Sequence, residues 1–286
     1  MEIALHLRRP DQKAALDNFP KHLMSFYDQA LLRGKESRAF DRIYVGDEFC
    51  PNRLPGLSEL KRFCRFATEQ NLKLTLLTPV LTDKGLEKYS PIFEYLQETA
   101  PGTEVVVNDL GVLFYLKRQY PGLRVSAGRL LNKGFKDPRL HRQDIPWESE
   151  PFLSDCTFDQ AEFQEKMAEL SVSRLERDVL PYGDHSVKNV SLFKTSVYFP
   201  FGYVTTGRVC WTASFRQPPG KKFMMSDTCS CPCNELSFEL RNEQFFFKII
   251  QNGNTIFYLY PFSMLKSLIS QAEAENLRLV YQGFVV

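Results

Sequence analysis

Three cysteines crowd into Cys229-Ser230-Cys231-Pro232-Cys233, Cys210 lies upstream of them, and Cys50 stands far away behind an apolar run. Thiolates are the ligands of iron-sulfur clusters and of structural zinc. Met1 to Arg8 lacks the apolar stretch and small residues of a secretory leader, and no run reaches the length of a membrane span. The expectation is therefore a cytoplasmic chain with reduced thiols, in which a knot of cysteines points to a metal before it points to disulfides.

A cubane cluster needs four sulfur ligands converging on one pocket, and Cys50, Cys210, Cys229 and Cys233 can supply them. Cys231 is a fifth candidate. Four thiolates also suit zinc, although the tight Cys-x-x-Cys pairs usual in zinc sites are absent. Unliganded thiols are the third reading, and Cys64 and Cys156 belong there; Cys64 falls on the apolar side of its helix as a small core residue. Peptidase chemistry finds no support in motifs: His-Glu-x-x-His and Gly-x-Ser-x-Gly are missing, and His6, His22, His141 and His185 stand apart.

The elements that must position these residues alternate. Strands are expected at Arg42–Gly46, Lys73–Thr78, Glu104–Val107 and Leu123–Ala127, and helices at Leu57–Gln70, Asp83–Thr99 and Leu110–Gln119. This rhythm is that of parallel strands joined by crossover helices, in a (β/α) barrel or an open sheet, with function at the carboxyl ends of the strands. Cys50, Asn108, Asp109, Gly128 and Arg129 occupy such ends. The second half is less regular. Ser173–Val179 reads as a strand and Tyr182–Tyr203 as an inserted hairpin or long active-site loop. Two strands flank the turn Gln251-Asn252-Gly253-Asn254, followed by a helix over Ser263–Glu275 and a closing strand over Arg278–Tyr281.

At 286 residues, 43% hydrophobic and 24% charged, with a net charge of +2, the chain is an ordinary globular protein, read as one domain. Lys117, Arg118, Arg124, Arg129, Lys133, Lys136, Arg139 and Arg142 face the single acid Asp137 in their stretch, which would attract anions such as RNA if they shared a face. Tyr198 to Tyr203 is a docking surface or a buried strand.

Tyr44-Val45-Gly46-Asp47-Glu48-Phe49-Cys50, Val107 to Gly111, Ser126 to Asn132, Glu176 to Gly183, and Thr206 to Cys210 with Cys229 to Cys233 resemble, in order, the landmarks of the collagenase-like peptidase family U thirty-two, and within it the UbiV-like branch. The resemblance covers most of residues 1 to 235. It implies a TIM-like (β/α) barrel, closed or incomplete, with an inserted hairpin or loop in the second half. It also implies a [4Fe-4S] cluster on Cys50, Cys210, Cys229 and Cys233. The activity it implies is oxygen-independent hydroxylation of a ubiquinone precursor, in a heterodimer with a second, UbiU-like member and with prephenate as oxygen donor. Other members hydroxylate RNA bases, and the collagenase-like peptidase label is the weakest of the three. Asn108, Asp109, Arg129 and Asn132 are then candidates for substrate binding, with Arg129 offering its forked donors to a carboxylate. The alternative for Asp109 is a helix N-cap. Arg208 is placed to donate to a cluster sulfur or to form a surface pair. The chain departs from the family pattern over Lys133 to Ser171 and Asp184 to Tyr203.

Overall fold

The computed structural model describes residues 1–8, 40–140, 146–182, 185–188, 192–215, 217–224 and 229–283. Arg142, His22 and His141 lie outside the described residues. Eight parallel strands close into a barrel: β1 (Glu2–Leu7), β2 (Arg42–Gly46), β3 (Lys73–Leu77), β4 (Glu104–Val107), β5 (Arg124–Ala127), β6 (Arg174–Arg177), β7 (Lys194–Phe199) and β12 (Arg278–Tyr281), the last seated between β7 and β1. The fold is a TIM-like barrel. Helices α1 (Leu57–Glu69), α2 (Asp83–Thr99) and α3 (Leu110–Gln119) follow β2, β3 and β4; the short α4 (Glu150–Ser154) and then α5 (Ala161–Glu169) follow β5.

Side chains alternate across each strand. Leu5, Ile43, Val45, Leu76, Val105, Val107, Val125, Leu175 and Val197 face outward into the main core, where α1 contributes Leu60, Phe63 and Ala67. Ala4, Tyr44, Leu77, Val106, Tyr198 and Val280 meet inside the barrel. Below this apolar layer the lumen is ionic: Arg278 binds Glu2 at 2.7 Å and Glu104 at 2.5 Å, and Arg42 binds Glu2 at 2.8 Å. The Tyr44 hydroxyl donates to Glu176 at 3.1 Å and accepts from Arg278 at 2.7 Å.

A second sheet roofs the carboxyl end of the barrel. It is antiparallel, in the order β8 (Phe201–Thr206), β11 (Thr255–Leu259), β10 (Ile249–Asn252), β9 (Phe238–Leu240). Phe201, Tyr203, Ile250 and Phe257 pack down onto Phe49 and Leu130 from the barrel loops. In the chain, helix α6 (Trp211–Ser214) lies between β8 and β9, and α7 (Phe262–Ala274) follows β11 and leads into β12.

Two expectations are corrected. The interval Tyr182–Tyr203 holds the seventh barrel strand and the start of the roof, and Tyr198, Phe199, Phe201 and Tyr203 are buried, which removes them as a docking surface. The basic stretch does not share a face. Lys117, Arg118 and Arg124 lie where α3 ends and β5 begins, whereas Arg129 and Lys136 are buried beyond the opposite end of β5. Among the described residues, no helix is long and apolar enough to cross a membrane.

Candidate metal centre at the barrel mouth

The loop after β2 begins at Gly46, whose φ of 100° and close approach to the Leu77 carbonyl, 2.4 Å from any added Cβ, exclude other residues. Asp47 then organises the loop. Its carboxylate accepts from the amides of Phe49 (2.8 Å) and Cys50 (2.9 Å) and from Arg53 Nη1 (2.9 Å). Burial alone would raise its pKa, but Arg53, Arg8 and His6 outweigh that and hold Asp47 below the ordinary carboxylate range.

From Arg53 the connection runs to the roof. Arg53 Nη2 donates to Asn252 Oδ1 at 2.8 Å, Arg8 Nη1 donates to the same oxygen at 3.0 Å, and Asn252 Nδ2 donates to the Cys233 carbonyl at 2.8 Å. At Gly253, φ 67°, an added Cβ would stand 3.5 Å from Cys233 Sγ and 3.4 Å from Arg53 Nη2. Asn254 Nδ2 reaches the carbonyls of Phe49 (2.8 Å) and Gly207 (2.7 Å), so one side chain ties the Cys50 loop to the Cys210 loop. The β10–β11 turn is thus the clamp on which segments distant in sequence meet.

Five thiols gather around it. Cys231, in the left-handed region at φ 53°, approaches the Asn52 carbonyl with its Sγ at 3.5 Å, and its amide donates to Cys229 Sγ at 3.3 Å. Cys210 caps α6 by accepting from the Ala213 amide at 3.4 Å. Cys233 is buried and lies within electrostatic range of Cys50, Cys210 and Cys231, and Cys229 within range of Cys210 and Cys231. Burial pushes the thiols of Cys50 and Cys231 up to about 12 and raises that of Cys210.

The donor types are those an iron-sulfur cluster takes. They are all sulfur, two of the sulfurs already accept backbone N–H bonds, and the Arg53 and Arg8 guanidinium groups would offset the charge of thiolates. Among the described residues, no three His, Cys, Asp or Glu side chains are drawn together tightly enough to hold a single metal ion. A cubane attaches each thiolate to a different iron and tolerates wider spacing than one tetrahedral ion does. The remaining two cysteines stand apart: Cys64 is half-buried on α1 against the core, and Cys156 is buried, its Sγ 3.1 Å from Asp159 Oδ2.

The polar residues expected to bind substrate are occupied by the fold. Asn108 donates to the Thr78 carbonyl at 2.8 Å and accepts from the Leu130 amide at 3.0 Å. Asp109 is the N-cap of α3, accepting from Val112 N at 2.8 Å. Asn132 accepts from Phe158 N at 3.1 Å. Arg129 is fully buried and plugs the mouth: Nε and Nη2 donate to Glu48 (2.9 and 2.5 Å), Nη1 to Asp178 (2.8 Å) and Nη2 to Gln282 (3.2 Å). Its guanidinium lies 3.6 Å from the Tyr198 ring centre. Lys136 completes the cluster 3.4 Å from Asp178, and burial lowers its amine to about 8. Arg208 is exposed. Sequence reasoning missed Glu48, Asp178, Arg53, Asn252 and Asn254; the signal available was that Glu48 and Asp178 follow strands.

No family model and no curated protein sequence matches the chain. Among solved structures, a xylose isomerase domain-containing protein of Salmonella typhimurium aligns over 99% of this chain and 88% of its own, at 10% identity and a TM-score of 0.41. The spore cortex-lytic enzyme SleL of Bacillus megaterium aligns over 99% of this chain and 70% of its own, at 10% identity and 0.39. A glycoside hydrolase family 18 N-acetylglucosaminidase of Paenibacillus barengoltzii aligns over 99% and 95%, at 9% identity and 0.38.

Proposed function

We propose that this chain is an iron-sulfur protein that takes part in oxygen-independent hydroxylation of an aromatic ring, a ubiquinone precursor, as one half of a heterodimer with a UbiU-like second member of the U thirty-two family. The observation that carries the reading is the meeting of Cys50 with Cys210, Cys229 and Cys233 at the clamp of Asn252, Gly253 and Asn254. A [4Fe-4S] cluster held there by four thiolates supplies electron transfer, or rigidity, to the assembly. Hydroxylation of a ring C–H without dioxygen is a two-electron oxidation of the ring, so the oxygen donor, prephenate in this reading, leaves reduced by two electrons.

The protein's own residues hold the centre. Arg53 and Arg8 bring positive charge to the thiols, Asp47 fixes Arg53 and the Cys50 amide, and Asn254 keeps the two cysteine loops in contact. The Cys50 thiol, near 12, is protonated at neutral pH, so cluster assembly would displace its proton. RNA base hydroxylation draws less support, because the cations from Lys117 to Arg139 are dispersed over both ends of the barrel. A peptidase reading draws less support among the described residues: His6 Nε2 is bonded to the Gly46 carbonyl at 2.7 Å and His185 Nδ1 lies 3.2 Å from the Leu180 carbonyl. Co-purification from an untagged lysate under anaerobic conditions tests the assembly. A stoichiometric partner with iron in both chains is expected, and a monomer fully active alone would defeat the heterodimer.

A further inference from the structure

Gly207 to Met224 contains no Asp or Glu, and its large apolar side chains point outward. Trp211 is 57% exposed, Phe215 63%, Phe223 53% and Met224 63%. Trp211 and Phe215, four residues apart on the turn of α6, share a face. Phe223 closes on Trp211 with ring centres 5.5 Å apart, and its amide donates to Ser214 Oγ at 3.0 Å. Phe223 holds φ 58°, a left-handed conformation unfavourable for an aromatic residue, so backbone strain is maintained at a ring that stays in solvent. Arg208, Lys221 and Lys222 are exposed in the same segment. A contiguous apolar patch with a charged border marks an interaction surface.

The chemistry of the patch selects its occupant. Nucleobases stack on open ring faces, but Phe215 is already stacked on Phe238 at 4.9 Å and 15°, and Trp211 is met by Phe223. The segment carries cations and no acid, and its described cations Arg208, Lys221 and Lys222 are exposed, which complements an anionic surface. Tryptophan, phenylalanine and methionine amid lysines suit the headgroup boundary of an anionic bilayer. We propose that this face docks peripherally on an anionic lipid surface, with Trp211, Phe215, Phe223 and Met224 entering the headgroup boundary and Arg208, Lys221 and Lys222 meeting lipid phosphates. The surface stands on its own residues and does not rest on the iron reading; Cys210 immediately precedes it, so docking sets the cysteine loop at the bilayer.

The full chain, purified anaerobically, is sedimented with phosphatidylcholine vesicles and with vesicles that also contain phosphatidylglycerol, at low and high salt. A Trp147→Phe background leaves Trp211 as the sole tryptophan, so its emission reports insertion. Binding to the phosphatidylglycerol vesicles with a blue shift is expected. Lys221→Glu with Lys222→Glu should weaken it by about 30-fold or more, and Trp211→Ser with Phe223→Ser should abolish the apolar part, with far-UV circular dichroism unchanged. The proposal is overturned by equal binding of the charge-reversed and parent proteins, or by absence of binding at low salt. It is equally overturned if single-stranded RNA displaces the vesicles at the same residues, or if the variants instead dissolve a homodimer.

Discussion

Replacing Arg129 by Met removes the cation that, among the described residues, neutralises Glu48. Both Glu48 and Asp178 are 1% exposed at the side chain, and Arg129 holds them through charge-assisted bonds of 2.5 to 2.9 Å. Met roughly keeps the volume, so the loss is electrostatic: Asp178 retains Lys136 at 3.4 Å, while Glu48 is left buried without a cation. Breaking a buried pair from one side costs about 3–5 kcal/mol, which in a chain of this size lowers Tm by roughly 6–15 °C. The pH dependence follows from Glu48, whose pKa burial raises even with Arg129 present. Without Arg129 it rises further. A folded pKa above the unfolded value gives a contribution that is complete below the unfolded value and is lost as pH rises through the folded one, so the deficit of Arg129→Met should be smallest in acid and largest above neutrality. Urea unfolding followed by circular dichroism at several pH values reads this directly, and adding Glu48→Gln should restore part of the loss. A deficit below about 1 kcal/mol, or one that is the same at acid and neutral pH, would refute the buried plug.

Three other outcomes follow from the same structure. Glu176, raised to about 7 by burial and then by Glu104, makes stability fall as pH rises from the unfolded value near 4.5 through 7; Glu176→Gln should flatten that slope in a pH series of denaturation midpoints. Asn254→Ala leaves the Phe49 and Gly207 carbonyls without its donors and should cost about 1–3 kcal/mol while lowering iron retention during anaerobic gel filtration. Gly253→Ala meets both a positive φ and contact with Cys233 and Arg53, and should destabilise by about 1 kcal/mol or more, measured by thermal unfolding.

The barrel was legible where physics is local. The carboxyl ends of runs such as Lys73–Leu77 and Glu104–Val107 are apolar on both faces, with Leu76, Val105 and Val107 turned outward and Leu77 and Val106 to the lumen, and the helices over Asp83–Thr99 and Leu110–Gln119 match their expected bounds. β1 was missed because polar Glu2 and His6 point into the lumen, and β7 because its aromatic run continues directly into the roof strand β8. At the site, residue type singled out the sulfurs. What holds them was hidden: Asn254 and Phe49 are 205 positions apart, and the turn at Asn252 and Gly253 reads as a hairpin turn and nothing more. Arg129 looked like a receptor for a carboxylate ligand because its partners Glu48 and Asp178 come from loops after other strands, at separations of 81 and 49 residues. Asp109 followed its local signal and caps α3.

The central claim is tested most directly by iron and acid-labile sulfide analysis of the anaerobically purified chain, with Cys50, Cys210, Cys229, Cys231 and Cys233 each changed to Ala. The account predicts iron and sulfide in equal amounts, the broad absorption of a [4Fe-4S] cluster, loss of both on changing Cys50, Cys210, Cys229 or Cys233, and retention with Cys231→Ala. A chain that takes up zinc without sulfide, or that keeps its iron when Cys50 is removed, would contradict it.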